Sequence, residues 1–150
     1  MVVLADIEGS KFTHVLGAML LMGALVVVFA ASVQAKRGDT PFLLRLAFRG
    51  LLLGALPAWV LMRVGAQWAY SEGSYDAART EPGWIGFGFI TSELGLLLLI
   101  AATVVAGLAS RRLSRGEASA GALQPWSQGL VGVLIVLYVV TIFAMSAKPD

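Results

Sequence analysis

The sequence predicts an all-α polytopic membrane protein: a single domain over residues 1–150, built as an antiparallel bundle of four transmembrane helices. Three observations predict it. First, 58% of the 150 residues are apolar and only 13% are charged, where a soluble domain carries about 25% charged residues. Second, the charges avoid four long apolar stretches, with two exceptions. Third, lysine and arginine gather in alternate connections. Disorder is excluded, because it needs low hydrophobicity and high charge.

A bilayer core about 30 Å thick takes roughly 20 apolar residues to cross as a helix. The first span, residues 12–34, has no Asp, Glu, Lys or Arg. It reads as a permanent helix and not a cleaved signal peptide, although Ser32-Val33-Gln34-Ala35 offers small residues. Asp6 and Glu8 precede it where a signal peptide wants a basic start, and its apolar stretch is longer than such peptides carry. The second span, residues 50–70, is bounded by Arg49 and Ser71. Pro57 inside it removes a backbone hydrogen bond and predicts a kink. Gly50 and Gly54 form a GxxxG that permits close helix approach. The third span covers residues 84–109 and the fourth residues 126–147.

The connections are short, which favours up-and-down neighbours. The stretch Gly116–Ala122 reads as flexible linker. Trp68, Tyr70 and Trp84 fall near one predicted interface and Trp126 near the other, as an aromatic belt requires. Lys36, Arg37, Arg45 and Arg49 flank the first connection, and Arg111, Arg112 and Arg115 the third. The opposite side holds only Lys11, Arg79 and Lys148. By the positive-inside rule the basic connections are cytoplasmic and both termini lie outside the cell membrane.

Whole function classes drop out. Without cysteine there is no disulfide framework and no thiolate metal site. A net charge of +2 is no nucleic-acid footprint. No nucleophile elbow, HExxH, Walker A or dinucleotide fingerprint occurs. The chain is therefore expected not to be an enzyme. The acids Glu72, Asp76 and Glu81 read as a solvated loop.

Two charges lie inside the spans: Arg63 in the second and Glu93 in the third. Each costs roughly 2.5–3.5 kcal/mol to insert. Counted from Ser71 and Trp84, both sit about 12–14 Å below the same surface, which predicts a direct ion pair. Arg63, Gln67 and Tyr70 share one helix face by their spacing, and Trp59 and Val60 continue it inward. Thr91 and Ser92 adjoin Glu93, and Tyr138 and Thr141 stand one turn apart on the last helix. His14, the only histidine, opens the first span. Arg63, Glu93, Gln67, His14, Tyr138 and Thr141 thus form a candidate intramembrane polar cluster. They predict a polar pocket in the outer half above an apolar floor. The pair serves either as a structural clamp or as a functional site. Arg63 would keep Glu93 ionised, so Glu93 makes a poor catalytic base. No cofactor or metal is expected, since one histidine cannot supply both axial ligands of a bis-histidine haem. Met19 and Met22 read as packing residues.

The run Phe12-Thr13-His14-Val15-Leu16-Gly17, then a small-residue apolar helix and Lys36-Arg37-Gly38-Asp39, resembles small bacterial four-helix integral membrane proteins of unknown function. Some of these are distantly similar to copper-resistance-D-type membrane domains. The Gly83-Trp84 start of the third helix and its Arg111-Arg112 exit look like the same group. The resemblance implies the four-helix fold. It carries no copper role over, because His14 lacks a second ligand.

The leading expectation is a non-enzymatic accessory or assembly subunit. Its partners are the lipid bilayer and other membrane-protein subunits or further copies of itself, and not nucleic acid. A small transporter, channel or proton-coupled protein using Arg63 and Glu93 is the alternative. A haem- or quinone-associated redox subunit comes third.

Overall fold

The computed structural model describes residues 2–37, 40–72 and 83–147, with side chains from Gly9 onward and without that of Trp84. The expectations for Asp39, Asp76, Arg79, Glu81 and Lys148 lie outside the described residues.

The described chain is all helical. The helices are α1 (Val2–Gln34), α2 (Thr40–Arg49), α3 (Leu56–Glu72), α4 (Gly83–Ser114) and α5 (Leu123–Ser146). A π-helical segment, Gly50–Ala55, joins α2 to α3, so α2 to α3 is one continuous rod. Among the described residues four stretches are long and apolar enough to cross a membrane: Gly9–Gln34, Thr40–Glu72, Ile85–Ser114 and Leu123–Ser146.

The second rod starts ten residues before the expected span, at Thr40 and not at 50. Pro41, next to this start, has its φ preset for a helix and lacks an N–H that would have no partner there. The Thr40 hydroxyl also donates to the Ala35 carbonyl (2.7 Å) and ties the two rods together. Further on, Pro57 is answered by the π-helical segment just before it. Its ring crowds the carbonyl one turn back and it offers no N–H. Widening the preceding turn, with the Leu56 N–H bonded to the Leu51 carbonyl, makes room.

The return from α4 to α5 is a built turn where slack linker was expected. Gly116 takes φ +84°. Its N–H bonds the Leu113 carbonyl and that of Glu117 bonds Arg112, at 3.1 and 3.3 Å. This pattern closes α4 as a Schellman motif, which glycine suits because it adopts positive φ without strain. Ala120, inside the turn, is buried with Ala35, Leu44 and Ala109.

The helices pack differently at their two ends. The lower end is closed by that alanine-rich cluster. Above it, Leu25, Val28, Leu51, Leu99, Leu134 and Val131 are 0–1% exposed, and Ala47, Ala55, Ala102 and Ala106 let the rods approach among them. At the upper end, marked by Ser10, Glu72, Ile85 and Ser146, the partners change. There α3 packs along α1 and α4 along α5, while α3 and α4 touch sparsely. The second and third spans are therefore close neighbours only low in the bundle, where α2 meets α4.

Two glycines cause the α1–α3 association. A Cβ on Gly17 would run into the Met62 backbone, and one on Gly65 into the His14 backbone. The two backbones interlock at these points, as small residues allow where helices pack closely. Gly50 and Gly54 also face α1, against Val28 and Ala24. The tightest approach, however, is at Gly17 and Gly65.

Candidate functional site

The gap between the diverging upper helices is a cavity of about 710 Å³. Its walls come from α1, α3, α4 and α5 and are mostly apolar, with Val15, Met19, Met22, Ile85, Phe89 and Ile142 among them. It ends inward near Leu21, Met62, Ser92 and Tyr138. An outer polar pocket over an apolar floor was expected. The structure has a pocket at that level, but its polar groups sit within an apolar wall.

The interlocked glycines decide where His14 points. With α1 pressed onto α3, its Nδ1 lies 2.9 Å from the Met62 carbonyl oxygen. A carbonyl only accepts, so Nδ1 carries the hydrogen and Nε2 is left for other partners. At the top of the same seam the fully buried Ser10 hydroxyl donates to a Glu72 carboxylate oxygen (2.7 Å). Glu72 is thus the last residue of α3 and a fastener of α1, and no longer a solvated loop acid.

Arg63 reaches across the divergence. Its Nε donates to Glu93 Oε1 (3.1 Å) and its Nη1 to Gln67 Oε1 (3.0 Å). The guanidinium lies 4.6 Å from the centre of the Phe89 ring, a cation–π distance. Tyr70 packs edge-on against the same ring. The expected ion pair is present, but not in the core: the Arg63 side chain is 25% exposed and that of Glu93 56%. Around Glu93 the flank of α4 shows Ile90, Leu94 and Leu97.

The six residues singled out in the sequence therefore fall into two sets that share Arg63. Arg63, Gln67 and Glu93 form a bonded chain on the outer flank. His14, Arg63, Tyr138 and Thr141 line the cavity. Thr141 is buried and donates back to the Leu137 carbonyl (2.8 Å), so its hydroxyl is spent within its own helix. The Tyr138 hydroxyl is buried beside Trp59 but outside ordinary hydrogen-bonding geometry. It presses on Gly95, where any Cβ would collide with it. Trp59 donates its indole N–H to the Ser92 carbonyl (3.2 Å) and is the inner tie between α3 and α4. Spacing put Trp59 and Val60 on one continuing face. The structure buries Trp59 and leaves Val60 exposed.

Sequence reasoning missed Gly17, Gly65 and Lys11 as site-forming residues. The glycines were hidden among 17 glycines in the chain, and nothing local marks which of them meets a backbone. Lys11 was counted only as a flanking charge, yet it stands at the cavity mouth. Among the described residues, no three His, Cys, Asp or Glu side chains come together as metal ligands. Compared with known proteins, the chain matches no family model, no curated protein and no solved structure.

Proposed function

We propose that the chain is an integral membrane protein folded as an antiparallel four-helix bundle, with both termini outside and its basic connections in the cytoplasm. In this reading it performs no chemistry of its own and serves as an accessory or assembly subunit against another membrane protein or a second copy. One observation carries the reading. Glu93 stands eight residues, roughly 12 Å, along α4 from Ile85, and its carboxylate is more than half exposed on an otherwise apolar flank. Arg63 offsets its charge from one side only. A carboxylate open to hydrocarbon is costly, so a donor from a neighbouring helix would complete its hydrogen bonds.

Purification in mild detergent, with mass analysis and a photo-crosslinker at Ile90, tests the reading. The expected result is a mass above that of one chain and a crosslink to protein, lost in Glu93→Leu. A strictly monomeric species crosslinked only to lipid overturns it.

The cavity beside Arg63 favours a second reading, a small transporter or proton-coupled protein. Against a continuous path, the bundle beneath the cavity is closed by Leu25, Leu51, Leu99 and Leu134. Proteoliposome flux that Glu93→Gln leaves unchanged, or no flux in the wild type, removes this reading.

A further inference from the structure

The cavity changes chemistry from its mouth to its floor. Among the described residues two cations, Lys11 and Arg63, line it, and no carboxylate does. Arg63 is already committed to Glu93, Gln67 and the Phe89 ring. Lys11 is exposed and makes no ion pair among the described residues. His14, three residues further along the same helix, has its Nδ1 held by the Met62 carbonyl and Nε2 still available. The mouth therefore offers a cation and a ring nitrogen, one turn apart, with no carboxylate bonded to either among the described residues.

Below this collar the wall is flexible and apolar. Met19, Met22 and Met62 line it, with Met145 nearer the upper end, and methionine adapts its shape to what it packs against. From Lys11 to Leu21 the shaft follows ten residues of α1, roughly 15 Å at the helical rise. Its volume of about 710 Å³ lies within the roughly 300–1,000 Å³ of small-molecule pockets. The floor is closed by the packed leucines of the lower half.

We propose that this cavity is a binding site for a single-chain amphiphile with an anionic head, a carboxylate or a phosphate on an alkyl chain. The head sits between Lys11 and His14 Nε2, and the chain runs down the methionine-lined shaft to Leu21. Charge complementarity selects the anion: a neutral head gives Lys11 no counter-charge, and a cationic one meets Lys11 and Arg63 directly. The site stands whether or not a partner covers the Glu93 flank, because Glu93 does not line it.

Trp59 provides the test, since it is tied to Ser92 at the cavity floor. In nanodiscs, a variant with Trp68, Trp84 and Trp126 changed to Phe keeps Trp59 as its single tryptophan, excited selectively over the tyrosines. The probe is dodecanoate carrying bromine at its chain end. The expected result is saturable quenching of Trp59, relieved by unlabelled dodecanoate or dodecyl phosphate; the better competitor names the head group. Dodecanol competes about tenfold less well, the worth of a charge-assisted hydrogen bond. Lys11→Met erases that preference, and Ala66→Phe, which fills the shaft, abolishes saturable quenching. Should Ala66→Phe fail to fold, Ala69→Phe nearer the mouth replaces it. Quenching that never saturates, or that Ala66→Phe leaves intact, is partition into the bilayer and overturns the site. Dodecanol competing as well as dodecanoate overturns the anionic head.

Discussion

The two ends of the bundle use the same residue types and reach opposite results. In the lower half, alanines on the first three rods and Ser127 on α5 bring four helices together around leucines that are almost wholly buried. In the upper half, Gly17 and Gly65 pull α3 onto α1 so closely that it parts from α4. A small residue on all rods closes a bundle, whereas a small residue on one pair closes that pair and opens the rest. The gap is crossed by long side chains: the Arg63 arm to Glu93, the Trp59 indole to Ser92, and Tyr70 and Phe89 ring to ring.

The sharpest way to break this contrast is Gly65→Leu. Its Cβ meets the His14 backbone, which no rotamer change relieves, so the loss of stability is about 3 kcal/mol or more. Thermal unfolding in nanodiscs measures it. Gly23→Ala on the same helix as Gly17 meets nothing within 4 Å and is expected within about 1 kcal/mol of wild type. Equal effects at both positions would dismiss the interlock.

Next comes the lower core. Leu134→Ala opens a void in packing that is 0% exposed and costs about 2–3 kcal/mol. Ile142→Ala in the cavity wall removes a side chain that is already 47% exposed, and its cost stays under about 1 kcal/mol. If the two cost the same, the upper half is filled as tightly as the lower.

The smallest effect is at the bridge. A double-mutant cycle of Arg63→Met and Glu93→Gln is expected to give a coupling of about 1 kcal/mol, because both groups are partly exposed. A coupling near zero would mean that the pair does not hold α3 to α4.

Much of this was legible before the structure. The helical stretches follow from apolar length and flanking charge, and the Arg63–Glu93 contact follows from equal depth on successive spans. Counting residues along a helix converts directly into height, so any two residues at one level become candidates to meet. What counting lacks is rotation and separation. It put Glu93 inside the bundle, where the structure turns it to the flank. It gave Tyr138 and Thr141 equal standing, although one hydroxyl is spent on its own helix and the other is caught against Gly95. It read Glu72 as loop because the apolar run had ended. The helix goes on to Glu72, whose carboxylate accepts from the Ser10 hydroxyl, a contact 62 positions away in the chain.

The sequence by itself determined that this chain is helical, how many long apolar rods it makes, and that two charges lie well inside their apolar stretches. Those facts depend on composition and on the fixed rise of a helix, which are local. Only the tertiary structure decided which rods pair, and so where the cavity lies, which His14 nitrogen is held by a backbone carbonyl and that Lys11 stands at the mouth. The reason is that pairing turns on a few glycines meeting backbone. Glycine looks the same in sequence wherever it stands, and only its neighbour in space gives it a role.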